Sequence, residues 1–256
     1  MPAAVGGLQW PLRLGRTEMG KVTTGFSMSL DGYVAGPNDG PENALGDGGD
    51  RLFRWYFSGD ATHPVPSGIR TFKMSKDGAE MVQKASQSAG VLISARRTFD
   101  IAHAWGGKHP MDVPIVVVTH RVPQEWVNKP GSPFTFVTDG VASAVAKAQQ
   151  IAGSRAVFVG APSVVKQCLQ AGLMDEIHID LIPTLLFRGV SLFDHLGIQP
   201  VDLQITEVNA TAEVVHITFR VVRQTGRRLP DSPRGARPEA LHCACGSRPL
   251  SRRRKR

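Results

Sequence analysis

Residues 113–120 read VPIVVVTH, with apolar side chains at consecutive positions rather than alternate ones. A strand of that kind needs cover on both faces, which is the environment of a parallel sheet with helices on either side. Two other stretches repeat the pattern. VLISA (91–95) and RAVFVG (155–160) are short apolar runs, and each is followed by a helical period. Strands alternating with helices imply a mainly parallel α/β sheet, and sites in such sheets lie at the carboxyl ends of the strands.

The remaining elements fit that frame. KVTTGFSMSL (21–30) and PFTFVTD (133–139) read as further strands. SKDGAEMVQKASQSA (75–89) reads as a helix with Met81, Val82 and Ala85 on one face, and RRTFDIAHAW (96–105) as another. GVASAVAKAQQIAG (140–153) puts Val141, Val145, Ala148, Ile151 and Ala152 in one stripe and stops at Gly153. PSVVKQCLQAG (162–172) starts with proline, where the first turn needs no N–H donor, and ends at Gly172. DEIHIDLIPTLL (175–186) alternates, with apolar residues at 177, 179 and 181. VDLQITEVNA (201–210) and AEVVHITFRVV (212–222) read as an antiparallel pair at the C-terminal end of the fold. Residues 31–68 read as loop, apart from LFRWYF (52–57), a short helix with Asp50 as its N-cap.

Charge sets the domain limits. The net charge is +8, yet residues 224–256 hold ten Lys/Arg and two acids, leaving twenty of each sign in residues 1–223. The body is neutral and the tail carries the excess, so a basic, nucleic-acid-binding fold is excluded; only weak, salt-sensitive binding through SRRRKR is open. The tail, rich in Arg, Pro and Gly, reads as disordered. Residues 1–18 read as a disordered leader, with Met19 directly before the first strand, which leaves one domain over residues 19–223. No run approaches the length of a membrane span. Of three cysteines, Cys168 falls on a helix as a small apolar residue. His242, Cys243 and Cys245 lack a second ligand pair, so no metal is expected.

Three strand ends carry candidate chemistry. After Ala95 come Arg96, Arg97 and Thr98. Two arginines opening a helix oppose its dipole unless an anion sits there; alternatively they face solvent or meet Asp100. After the second strand, Thr119 and Arg121 flank an exposed His120 and suit either a second phosphate or an ordinary turn. At the third, Gly160 lets the backbone approach a ligand, Pro162 removes one donor, and Ser163 offers a hydroxyl. One extended ligand with several phosphates, such as a dinucleotide with an extra ribose phosphate, would use all three.

The order SMSLDGYVAG, RRTFDIAHAW, VPIVVVTH and VFVGAPSVVKQCLQAGLMDEIHIDLIPTLLFRGVSLFD resembles the RibD C-terminal domain family, the reductase domain of riboflavin biosynthesis, over about residues 20–223. The resemblance implies a dihydrofolate-reductase-like fold, NADPH as cofactor, a cytoplasmic enzyme and a homodimer. By position, the family's Gly-Arg-x-Thr phosphate motif falls on Ala95, Arg96, Arg97 and Thr98. Its turn near the adenosine 2′-phosphate falls on Thr119 to Arg121, and its Gly-Gly pyrophosphate turn on Gly160 and Ala161. Ala95 and Ala161 each stand where the family has glycine, at a cost of about 1 kcal/mol if φ > 0 is required. SLDG (29–32) matches the mobile loop beside the nicotinamide, with Asp31 as catalytic candidate or turn residue. Asp50 matches the substrate carboxylate or is the helix N-cap. Trp55 and Phe57 either wall a flat heterocycle or belong to the core. The implied reaction is hydride transfer from NADPH to a C=N or C=O carbon of a small heterocyclic or sugar-like substrate, as in the family's reduction of 5-amino-6-(5-phosphoribosylamino)uracil. The alternatives are a pterin, flavin or xenobiotic reductase, or a nucleotide-binding protein without catalysis.

Overall fold

Strand β1 (Val22–Ser29) is the middle of the molecule, paired in parallel on both sides. The computed structural model describes residues 19–127, 129–194 and 196–223. The chain divides into two units, Met1–Arg223 and Gln224–Arg256. The second unit, with the basic tail and Cys243 and Cys245, lies outside the described residues, as does the leader 1–18.

In chain order the strands are β1, β2 (Tyr33–Ala35), β3 (Ala61–Pro64), β4 (Thr71–Met74), β5 (Ala89–Ala95), β6 (Ile115–Val118), β7 (Phe134–Val137), β8 (Ala156–Val159), β9 (Glu176–Ile182), β10 (Val190–Ser191), β11 (Leu203–Ala210) and β12 (Val215–Val221). Eight of them form one sheet in the order β11-β12-β9-β1-β8-β5-β6-β7. Pairing is parallel from β9 to β7 and antiparallel for β12 with β9 and with β11. The mainly parallel sheet with an antiparallel C-terminal pair is therefore the observed fold.

One face of the sheet is closed by α3 (Val141–Ala152) and α4 (Pro162–Gln170). Val145 and Ala148 of α3 and Val164, Val165 and Cys168 of α4 are buried against Val91, Ile93, Val157 and Val159. Fully burying a valine stabilises by roughly 1.5–3 kcal/mol, so a charge at Val165 would detach α4. Gly172 (φ 62) and Gly153 (φ 61) follow these helices at positive φ, which glycine adopts without a side-chain clash.

The opposite face carries two separate clusters. Phe99 packs with Ile115, Val117 and Phe134 over β6 and β7, while Leu52, Trp55, Met74 and Ile182 pack over β9 and β12. The second cluster rests on the short helix read at 52–57 and on a hairpin that the sequence pattern did not mark. Gly49–Tyr56 form a 3-10 helix, and β3 and β4 make a hairpin. α1 (Lys76–Ser88) leans on that hairpin; Met81 and Val82 are half-buried and Ala85 is exposed. The helix expected over 96–105 is shorter. α2 spans Arg96–Ile101, and His103 to Gly107 then run at φ 48–90, a left-handed turn. Such backbone costs roughly 1–2 kcal/mol per non-glycine residue. Trp105, packed edge-on against Phe99 and His109, and the contact of the His103 ring with the Pro41 carbonyl hold it.

Candidate active site

The carboxyl ends of β5, β6 and β8 form one corner. Arg96, first residue of α2, places Nε 2.8 and 2.9 Å from the two carboxylate oxygens of Asp100, while Nη1 donates to the Arg121 carbonyl at 2.9 Å. The Thr119 hydroxyl donates to the same carbonyl at 2.7 Å and accepts the Arg121 N–H at 3.2 Å. The first two strand ends are thus one hydrogen-bonded unit. Arg97 turns the other way and donates to the Asp39 carbonyl and to Asp39 Oδ1, both at 2.8 Å. Asp39 belongs to the 36–47 loop, a contact the sequence reading missed. Arg96, Arg97 and Arg121 against Asp39 and Asp100 leave one positive charge in excess. α2 has six residues and no side-chain cap, so the guanidinium groups rather than its dipole would attract an anion.

Gly160 adjoins this corner. Its N–H donates to the Ile93 carbonyl at 2.9 Å, and a Cβ on it would stand 2.8 Å from Leu92 Cδ1. Glycine at 160 is therefore accounted for by the approach of β5 to β8. Ala161 is fully buried at φ −135, and Ala95 lies at φ −97. Both are extended conformations that any residue adopts, so the strain expected where these alanines replace glycine does not arise. Thr98 is half-buried with its carbonyl bound to the Ala102 N–H; Ser163 is exposed in the first turn of α4, with its carbonyl bound to Gln167 Nε2.

The two carboxylates singled out in the sequence stand apart from that corner. Asp31 accepts from the Ser29 hydroxyl at 2.6 Å, the Phe187 N–H at 2.7 Å and the Leu186 N–H at 3.2 Å. Desolvation, which raises its pKa, is outweighed by these bonds, and the net direction is down. Asp31 therefore clamps the turn after β1 to the segment before β10. Asp50 is not the N-cap of its helix: Gly48 occupies that position at φ 75. Asp50 pairs with Arg54 at 2.9 Å, and that hydrogen bond lowers its pKa. Trp55 is buried and Phe57 exposed.

Beside β1 lies a polar group that the sequence reading passed over. The register sets Ser27 of β1 against Asp180 of β9, and Asp180 against His216 of β12. His216 Nδ1 lies 2.7 Å from Asp180 Oδ1, and its Nε2 is buried without a partner. Trp55 donates from Nε1 to the Ser27 hydroxyl at 3.0 Å and meets the His216 ring edge-on at 5.1 Å. The signal was present: with 177, 179 and 181 facing one core, residues 178 and 180 must face the other side.

At the opposite end of the sheet, an open depression is lined by Lys21, Asp175, Glu176, Arg220 and Arg223. Lys21 pairs there with Glu176 and Arg223 with Asp175, which leaves the charge of Arg220 in excess. Among the described residues no group of three His, Cys, Asp or Glu could hold a metal ion, and no helix is long and apolar enough to cross a membrane.

This sheet order, helices on both faces and a C-terminal antiparallel pair define a mixed α/β domain with a mainly parallel central sheet. The family model described as RibD C-terminal domain matches residues 20–217, and the chain belongs to that family. A search of curated proteins finds no match. Among solved structures, a protein from Shewanella sp. PV-4 assigned to riboflavin biosynthesis aligns with TM-score 0.56 and 19% identity, over 79% of this chain and 99% of that one. The diaminohydroxyphosphoribosylaminopyrimidine deaminase/5-amino-6-(5-phosphoribosylamino)uracil reductase of Thermotoga maritima aligns with TM-score 0.51 and 10% identity, over 80% of this chain and 57% of that longer one. Dihydrofolate reductase from Enterococcus faecalis, complexed with NADP(H), gives TM-score 0.46 and 12% identity, covering 79% and 97%.

Proposed function

We propose that the chain is an NADPH-dependent reductase of a small heterocyclic substrate, with the riboflavin-pathway pyrimidine, 5-amino-6-(5-phosphoribosylamino)uracil, as first candidate. Family membership supports the reductase chemistry. The observation that carries the cofactor is the corner where Arg96 and Thr119 share the Arg121 carbonyl beside Gly160. Its donors fit a polyanion: guanidinium groups at the ends of β5 and β6, with Ser163 exposed in the first turn of α4 after β8. Arg96, Arg97, Thr98 and Ser163 would hold phosphates, with Ala95, Gly160 and Ala161 as the backbone against them. Thr119 and Arg121 would select the 2′-phosphate of NADPH. When bound, the reduced nicotinamide supplies the hydride. Asp31 stays ionised and fixes the loop beside the ring rather than moving a proton. Asp50, paired with Arg54 on the surface, is a poor match for the substrate carboxylate.

A homodimer through β11 and a cytoplasmic location go with this reading. β11 is an edge strand that exposes Leu203, Ile205 and Val208, and an apolar edge of this kind calls for cover.

Titrating the protein with NADPH and with NADH while following tryptophan fluorescence tests the cofactor. Arg96→Met should weaken both ligands by about 10-fold or more, the scale of a lost charge-assisted hydrogen bond. Arg121→Ala should weaken NADPH alone. No quenching at high micromolar NADPH would sink the enzyme reading. Turnover of a pterin or a quinone but not the pyrimidine would place the chain with a different reductase of the same fold.

A further inference from the structure

The geometry points to Asp180, held by His216, as the carboxylate that accepts from the ring N–H donors of the heterocyclic substrate proposed above. This rests on the reductase reading, since only that reading places a substrate beside β1.

The argument begins with what Asp180 has left over. Its Oδ1 is taken by His216 Nδ1 at 2.7 Å, and no protein donor reaches Oδ2 among the described residues. About a fifth of its side chain, 22%, is exposed, so Oδ2 can be reached from outside. A carboxylate only accepts, so His216 carries its proton on Nδ1. His216 itself is buried, 1% exposed as a side chain, and cannot turn away, so it fixes the plane of the carboxylate. This is the arrangement in which one oxygen is anchored and the other offered. An anchored carboxylate oxygen with no arginine or lysine against it takes N–H donors and repels phosphate.

The surroundings select shape. Trp55 and Tyr56 stand with ring centroids 4.0 Å apart, and the indole is fixed by its bond to Ser27 on the neighbouring strand. Ser27 pairs with Asp180 across β1 and β9, and β1 in turn pairs in parallel with β8, one of the three strands whose ends form the proposed cofactor corner. The packed rings of Trp55 and Tyr56 set an aromatic surface beside the carboxylate, against which a planar ring can lie. The two carboxylates proposed from sequence do not compete: Asp31 spends its oxygens on backbone N–H groups, and Asp50 is paired outside. His216 is a positioning residue in this scheme.

Two small probes separate the idea from its rivals: 5-aminouracil, which carries ring N–H groups, and 5-amino-1,3-dimethyluracil, which has lost them. Binding to the full-length protein is followed by the ring-nitrogen NMR signals of His216 and by calorimetry. 5-Aminouracil should bind at least 10-fold tighter than the dimethyl analogue and should shift the His216 signals. Asp180→Asn should abolish that preference, and Asp180→Ser serves if the asparagine variant does not fold. His216→Asn should reduce the preference several-fold. Equal affinity for the two probes, no binding of 5-aminouracil, or an unaltered preference in Asp180→Asn would overturn the assignment. The NADPH titration above fails or succeeds independently. Cofactor bound without probe discrimination removes only Asp180; discrimination without cofactor binding removes the reductase reading and leaves the Asp180 site standing.

Discussion

Lowering the pH from 7 to 5 should destabilise the protein through His109. This ring meets Trp105 edge-on at 4.9 Å, and its Nδ1 accepts the Met111 N–H at 3.1 Å. Burial pulls its pKa from 6.5 down to about 4. The folded state therefore keeps the ring neutral while the unfolded chain protonates it near 6.5. Stability is whole above that value, falls as pH drops through it, and stops falling near pH 4, where the folded ring also takes a proton. Each pKa unit is worth about 1.4 kcal/mol, so the full effect is roughly 3 kcal/mol, and about 2 kcal/mol of it is lost by pH 5. Urea unfolding at pH 7 and pH 5 measures this in the native protein and in His109→Asn, whose amide oxygen can still accept from Met111. The pH-dependent loss should shrink by about 2 kcal/mol in the variant, with a remainder from His178, whose pKa is also lowered by burial. An equal loss in both proteins would refute the reasoning, for it would mean that His109 titrates alike folded and unfolded.

Other outcomes follow from single positions. Phe187 sits at φ 63 with 77% of its surface exposed, so Phe187→Gly should raise stability by about 1 kcal/mol, a melting shift of roughly 2–4 °C by calorimetry. Ala161 is buried and extended, so Ala161→Gly should cost about 1 kcal/mol and leave the NADPH dissociation constant unchanged; tighter binding would restore the idea that glycine is needed there. Ile205→Asp on the β11 edge should convert a dimer to a monomer in analytical ultracentrifugation without loss of fold, because Ile205 is 60% exposed in the single chain.

The sheet was legible because burial on both faces writes itself into consecutive apolar residues. Seven strands of the eight-stranded sheet fall inside a stretch recognisable from its pattern, the eighth, β5, starts two residues before the run read at 91–95, and α3 and α4 carry both their stripe and their stop signals. Legibility failed at the β3–β4 hairpin. The short helix before it was recognisable, though it starts at Gly49 and is not capped by Asp50; the hairpin is held by tertiary packing of Met74 with Leu52 and Trp55. It failed again at 103–107, where alanine and tryptophan take a left-handed backbone that no local preference favours.

The same division runs through the candidate site. Residue type and order alone located the three strand ends and named Arg96, Thr119 and Gly160, because the ends of parallel strands are where ligands can enter. Sequence could not say that Arg96 and Thr119 would meet on one carbonyl, that Ala95 and Ala161 would be unstrained, or that Asp50 would face outward. Those depend on φ and on register. Asp180 and His216 are 36 residues apart and become partners only because β12 returns antiparallel beside β9. Hydrophobic pattern is a property of a segment and survives in the sequence; a hydrogen bond between two strands belongs to their alignment and exists only once the sheet has closed.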